Sequence, residues 1–118
     1  MIRKPGNYDR AVAQLKKQSG KKITLYTACA FVSCTKTNRP IIRAEVIVAE
    51  VLFKKITDHQ IHSYVSKDKP YHCAGSFKVE SLGIALCKTI CCEDHTSLVG
   101  LPLLSVIRLL EQFDYELP

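Results

Sequence analysis

Two β-prone stretches, residues 23–35 and 41–53, constrain this chain more than anything else in it. Only Lys36-Thr37-Asn38-Arg39-Pro40 separates them, so they read as one long antiparallel hairpin with its turn at 36–40. Both alternating sides of the first stretch are largely apolar: Ile23, Leu25 and Phe31 on one, Tyr26, Ala30 and Val32 on the other. A strand apolar on both sides belongs in a sheet covered by helices. At 118 residues the chain can support such a core, since a domain this size buries roughly two-thirds of its unfolded surface. With 47% hydrophobic and 24% charged residues, it is not a disordered tail, a collagen or a coiled coil. No apolar run approaches the ~20 residues of a membrane span.

The hairpin lies between helical patterns. Tyr8, Ala11, Val12 and Leu15 follow helical spacing, which predicts a helix over 8–18 with Arg10, Gln14 and Lys17 facing outward and Ser19-Gly20 closing it. Thr57-Asp58-His59-Gln60 fits a capping box, and Ile56 with Ile61 fits a hydrophobic staple, so a second helix starts at Thr57. It ends before Pro70. A loop over 72–83 then leads to a short strand over 84–88. A last helix starts near Pro102; its broad stripe of Leu103, Val106, Ile107 and Leu110, widened by Leu104, Leu109 and Phe113, predicts a well-buried element. The expected order is α-β-β-α-β-α, in the α/β class.

The net charge of +6 belongs to one end. Residues 1–22 carry Arg3, Lys4, Arg10, Lys16, Lys17, Lys21 and Lys22 against Asp9 alone, and the rest is balanced. Such a patch attracts phosphates, whether of a nucleotide or a nucleic acid. A small basic nucleic-acid-binding module is thus one reading, but no aromatic residues are interleaved with the bases except Tyr8, which belongs to the helix's apolar face. The six cysteines contain no Cys-x-x-Cys and the four histidines no metal-binding spacing, so no metal ligands are assigned and free, reduced thiols are expected. The first residues lack the apolar stretch of a signal peptide, which with the thiols points to the cytoplasm.

No local catalytic signature stands out. Phosphate-loop, Gly-x-Ser-x-Gly and His-Glu-x-x-His motifs are all absent, and the adjacent His72-Cys73 cannot easily face each other as base and nucleophile. The dense polar segment is 72–83, His-Cys-Ala-Gly-Ser-Phe-Lys-Val-Glu-Ser-Leu-Gly. Its small residues permit close approach of a ligand to the backbone. If the segment is extended, Lys78 and Glu80 share one side, offering a cation for phosphate and a carboxylate for base N–H donors.

Ala74-Gly75-Ser76-Phe77-Lys78-x-Glu80 followed by Gly83-Ile84 resembles the signature loop of the Maf proteins, and more narrowly of the branch acting on 7-methyl-GTP. The resemblance runs along the chain. It includes Lys4-Pro5, Ala13, Leu15 and Ser19-Gly20, and Tyr26-Thr27. Further on it takes in Val51-x-Phe53-Lys54, Thr57-Asp58-x-x-Ile61-x-x-Tyr64-Val65 and Leu98-Val99-Gly100-Leu101-Pro102-Leu103. It implies the C-terminal part of a fold like that of the inosine-triphosphate pyrophosphatases. It also implies hydrolysis of a nucleoside triphosphate to monophosphate and pyrophosphate with Mg or Mn, substrate phosphate bound by Lys4, phosphate or loop supported by Lys78, and the base read by Glu80. The family's N-terminal half, with its phosphate loop, acidic metal region and proton-accepting Asp, has no counterpart here. Residues 1–118 are therefore expected to be a single truncated domain with no catalytic residue of its own, and inactive alone. The other expectations are a non-catalytic remnant, a homodimer, or a partner for a separately encoded N-terminal half. The chain departs from the family pattern at Arg3, Ala28 and Ser81, where glycines are expected.

Overall fold

The computed structural model describes residues 2–34 and 39–118. The Lys36–Asn38 portion of the expected turn, and Thr35 before it, lie outside the described residues. The chain is mixed α/β. It runs α1 (Tyr8–Gln18), β1 (Lys22–Ser33), β2 (Ile41–Phe53), α2 (Asp58–Asp68), two short 3-10 turns (Ala74–Ser76 and Leu82–Leu86), β3 (Cys87–Cys92), α3 (Thr96–Val99) and α4 (Leu103–Gln112). The three strands form one antiparallel sheet in the order β1-β2-β3. Two compact units divide the chain: Met1–Leu25 with Ala49–Cys91, and Tyr26–Val48 with Cys92–Pro118.

The first unit holds most of the core. Asn7 caps α1, its side chain accepting from the Arg10 amide at 2.9 Å, and Gly20 leaves the helix at φ +71 as a left-handed exit favours. The capping box of α2 is present: Thr57 Oγ1 accepts from the Gln60 amide at 3.1 Å, and the Thr57 amide donates to Gln60 Oε1 at 3.0 Å. Ala11, Val12 and Leu15 of α1 meet Ile61, Tyr64 and Val65 of α2 over Ile23, Val51 and Phe53 of the sheet. Phe77 closes this core, edge-on to Phe53 at 5.7 Å.

The strand after the loop starts three residues later than the pattern suggests. Gly83 packs so tightly on the Lys78 backbone that the chain coils through 82–86 in a 3-10 turn. Strand pairing begins only once the Lys54 amide has reached the Leu86 carbonyl at 2.9 Å. β3 is therefore built from Cys87-Lys-Thr-Ile-Cys-Cys, where edge pairing decides and apolar content does not.

In the second unit one carboxylate organises two helix starts. Asp94 accepts from the Thr96 amide and hydroxyl at 3.0 and 2.6 Å and from the Leu104 amide at 2.8 Å. Led by the Thr96 bond, these contacts hold its carboxyl below the ordinary value. Arg108 of α4 pairs with Glu45 of β2 at 2.9 Å and with Glu93 at 3.2 Å. Two expectations fail here. Of α4's broad apolar stripe only Leu109 is fully buried, beside Ser105, while Leu103, Leu104 and Ile107 are exposed. The two apolar sides of β1 are also unequal: Ile23 and Cys29 are buried, but Tyr26, Ala30 and Val32 are exposed. Within the second unit α3 and α4 pack on the other face of the hairpin, through Thr27 and Glu45, so the second set is uncovered there. No helix among the described residues is long and apolar enough to cross a membrane.

Candidate functional site

Lys4 sits in an extended segment before α1, and two backbone bonds staple that segment to the loop after α2. The Gly75 amide donates to the Arg3 carbonyl at 3.2 Å, and the Gly6 amide donates to the Tyr71 carbonyl at 2.9 Å. Lys4 lies between these two anchors. Gln14 reinforces them, donating through Nε2 to the Arg3 carbonyl at 2.8 Å and accepting from Ser76 Oγ at 2.6 Å. Helical periodicity turns Gln14 outward; the structure instead uses its amide as a bridge under the loop. Gln18, one turn on, is buried and donates to the Gly75 carbonyl at 2.8 Å.

The Ala-Gly-Ser corner is built from consecutive left-handed residues, Gly75 at φ +68 and Ser76 at φ +54. A side chain at Gly75 would approach Ile23 Cδ1 to 3.0 Å, and a non-glycine residue such as Ser76 held at positive φ carries strain that its surroundings must offset. Here Ser76 is fully buried, its hydroxyl taken by Gln14 and its carbonyl accepting from Tyr64 Oη at 2.6 Å. The same phenol oxygen accepts from the Lys78 amide at 2.9 Å. Burial, offset in part by that amide, holds the Tyr64 phenol above its ordinary pKa, so it stays a neutral donor. Tyr64→Phe should destabilise the protein by ~1–3 kcal/mol, because a buried carbonyl and amide lose their partner. Urea unfolding measures this, and a change under ~0.5 kcal/mol would show that the phenol does not hold the loop.

Lys78 and Glu80 do not alternate along an extended segment. The chain turns there, with the Ser81 and Gly83 amides both donating to the Lys78 carbonyl at 3.2 and 3.0 Å. Asp68 fixes the far side, accepting from Ser81 Oγ at 2.9 Å and the Leu82 amide at 2.8 Å. Lys78 is half-buried and Glu80 exposed at the turn. The staple joins the Lys4 segment to the loop that runs through Cys73 to Lys78 and Glu80. Burial raises the Cys73 thiol above its ordinary pKa; Glu80 adds to this, while Lys78 and Lys4 oppose it. Cys73 therefore lacks the lowered pKa of a nucleophile, and His72 beside it is exposed. Lys4 also opens onto a cleft of about 500 Å³ whose rim adds Arg3, Arg10 and Lys17, with no acid lining it. The Tyr8 hydroxyl lies 2.6 Å from His62 Nδ1 of α2.

Sequence reasoning missed Tyr64, Gln14, Ser76 and Asp68 as supports of the site. The left-handed corner was hinted at by Gly75; nothing local reveals which side chains a distant loop will contact. Glycine is not required at the departures from the family pattern. Ser81 adopts φ −129, Ala28 is in a strand, and Arg3 is not at positive φ. Among the described residues no three His, Cys, Asp or Glu side chains converge on one point. By themselves the described residues offer no three-ligand site for a Mg or Mn ion. All six cysteines are free thiols.

Known proteins resemble this chain along most of its length. A 7-methyl-GTP pyrophosphatase of Aliivibrio fischeri is 42% identical over 114 residues, which is 95% of this chain and 56% of the relative. A protein of the same name from Nitrosospira multiformis is 43% identical over 108 residues, 91% of this chain and 52% of its own length. One from Pseudoalteromonas atlantica is 39% identical over 118 residues, 98% of this chain and 58% of its own. The chain spans about half the length of the curated relatives it matches. The model of the Maf-like protein family matches residues 1–113, and with a signature loop stapled to a lysine-bearing segment at the other end of the match, the chain belongs to that family.

Proposed function

We propose that residues 1–118 supply the nucleotide-holding part of a nucleoside-triphosphate pyrophosphatase acting on 7-methyl-GTP or a closely related nucleotide in the cytoplasm. The observation that carries this reading is that the segment bearing Lys4 and the loop leading to Lys78 and Glu80 are joined by two backbone bonds. Hydrolysis to monophosphate and pyrophosphate forms a bond from water oxygen to phosphorus and breaks a phosphoanhydride bond. It needs a base for the water and cations for the phosphates. Lys4, with the bases around its cleft, attracts and holds the phosphate chain; Lys78 supports phosphate and loop together. The metal would bring Lewis acidity, and the water-activating base and most metal ligands belong to the part of the family's length that these residues do not span.

Glu80 reads the base. An ionised carboxylate only accepts hydrogen bonds, and guanine offers two adjacent donors, N1–H and the 2-amino group. Methylation at N7 adds positive charge and strengthens the attraction. A glutamine amide both donates and accepts, which suits uracil or thymine. In a chimera carrying residues 1–118 behind a family N-terminal half, Glu80→Gln should therefore lower the ratio of kcat/KM for 7-methyl-GTP over UTP by roughly ten- to a hundred-fold. If that ratio does not move, Glu80 has only a structural place in the turn.

A further inference from the structure

One face of the β1–β2 hairpin changes character along its length. Near the hairpin's open end it is polar, with Lys22, Thr24 and Glu50, and only half-buried Leu52 interrupts it. Lys22 and Glu50 pair at 3.6 Å. From Tyr26 onward the same set of alternating positions carries no charge and no hydrogen-bonding side chain except the Tyr26 phenol: Tyr26, Ala28, Ala30 and Val32 on β1, then Ile42, Ala44, Val46 and Val48 on β2. All eight are exposed, Tyr26 at 69%, Ile42 at 61% and Val46 at 60%. The opposite face, where α3 and α4 pack, is the more polar one, with Thr27, Ser33, Arg43 and Glu45. An antiparallel sheet that turns one face to water puts its polar residues there. Here the bare face is the one patterned for burial, and a contiguous exposed apolar patch marks a surface that another element covers. The excess is local. Fifteen large apolar side chains are exposed among the described residues, and all but Leu82 and Ile84 belong to the second unit.

We propose that this face seats a helical layer of polypeptide drawn from the part of the family's length that residues 1–118 do not span. The relatives match this hairpin and carry further chain amounting to 42–48% of their own length, which must pack against something. The uncharged face is where these residues are prepared to receive it. Ala28, Ala30 and Ala44 are small among larger neighbours, which suits the close approach of a helix about 10 Å across. The proposal rests on family membership and not on the activity, and it is tested by binding alone.

The test co-expresses residues 1–118 with the half of the Aliivibrio fischeri relative that lies outside the match, each as a separate chain. A one-to-one complex by light scattering is expected. Val46→Asp should weaken it at least about a hundredfold, since a carboxylate would be buried without a partner. Thr24→Asp, on the same face where the pattern is polar, should leave it unchanged. A complex indifferent to Val46→Asp overturns the proposal. So does a dimer of residues 1–118 that the relative's half does not displace, because a second copy is then the cover. If the two chains do not associate, fusing them and measuring maleimide labelling of Val46→Cys by mass spectrometry decides the matter. Labelling at least about tenfold slower in the fusion than in residues 1–118 alone supports the proposal, and equal labelling overturns it.

Discussion

Purified residues 1–118 should release no pyrophosphate from 7-methyl-GTP, GTP, UTP or dTTP above the uncatalysed rate, with magnesium or manganese present. In the proposed function the candidate residues only hold a nucleotide, with Lys4 and Lys78 at the phosphates and Glu80 at the base. None of them is placed as a base for water. No three potential metal ligands converge among the described residues. Catalytic groups of this kind act as a unit, so a site lacking several loses many orders of magnitude and not a modest factor. Coupled release of pyrophosphate from purified chain is the direct assay. Metal-dependent turnover near ordinary enzyme rates, ~1–10³ per second, would show that these residues contain a base and a phosphate clamp not identified above. Adding the complementary half of a relative should restore turnover if the proposed function is correct.

The largest stability effect should come from Gly83→Ala. A Cβ at Gly83 would lie 2.4 Å from the Lys78 carbonyl oxygen, 2.7 Å from its carbon and 2.9 Å from its nitrogen. All three are backbone atoms, so no side chain can swing aside. The Lys78 carbonyl is also the acceptor for the Gly83 amide, so opening the contact breaks the bond that sets the turn. Ordinary overpacking costs ~1–3 kcal/mol, and a clash against backbone should exceed that range. In a small domain this lowers the melting temperature by more than about 10 °C. Gly100→Ala is the control, since nothing lies within 4 Å of its added Cβ. If Gly83→Ala melts within a few degrees of the parent, the turn at 78–83 is looser than described and cannot position Glu80.

Local chemistry made some of this legible before any coordinates. The start of α2 was readable because Thr57, Gln60, Ile56 and Ile61 interact within one turn, where sequence spacing is spatial proximity. The hairpin was readable because alternation and a short turn determine pairing. The site was readable only as a motif. What joins Lys4 to Lys78 is a set of bonds across more than sixty residues, and such pairings leave no period. Two of the errors have a common cause. The stripe on α4 and the second apolar side of β1 were correct readings of what the residues prefer. They failed as readings of burial because preference does not say whether the cover lies within these 118 residues. The strand placed at 84–88 failed differently: the close packing of Gly83 on the Lys78 backbone overrode the apolar run.

Arg3 and Tyr71 enter the staple only through their carbonyl oxygens. Selection on the distance between Lys4 and the loop therefore acts on peptide groups there and leaves the exposed Arg3 side chain free to drift. A glycine expected from the family pattern can stand as Arg3 while both backbone bonds of the staple remain. Descent can preserve such a geometry without preserving its letters, so a distant member of this lineage can keep more of its site than a residue-by-residue alignment credits.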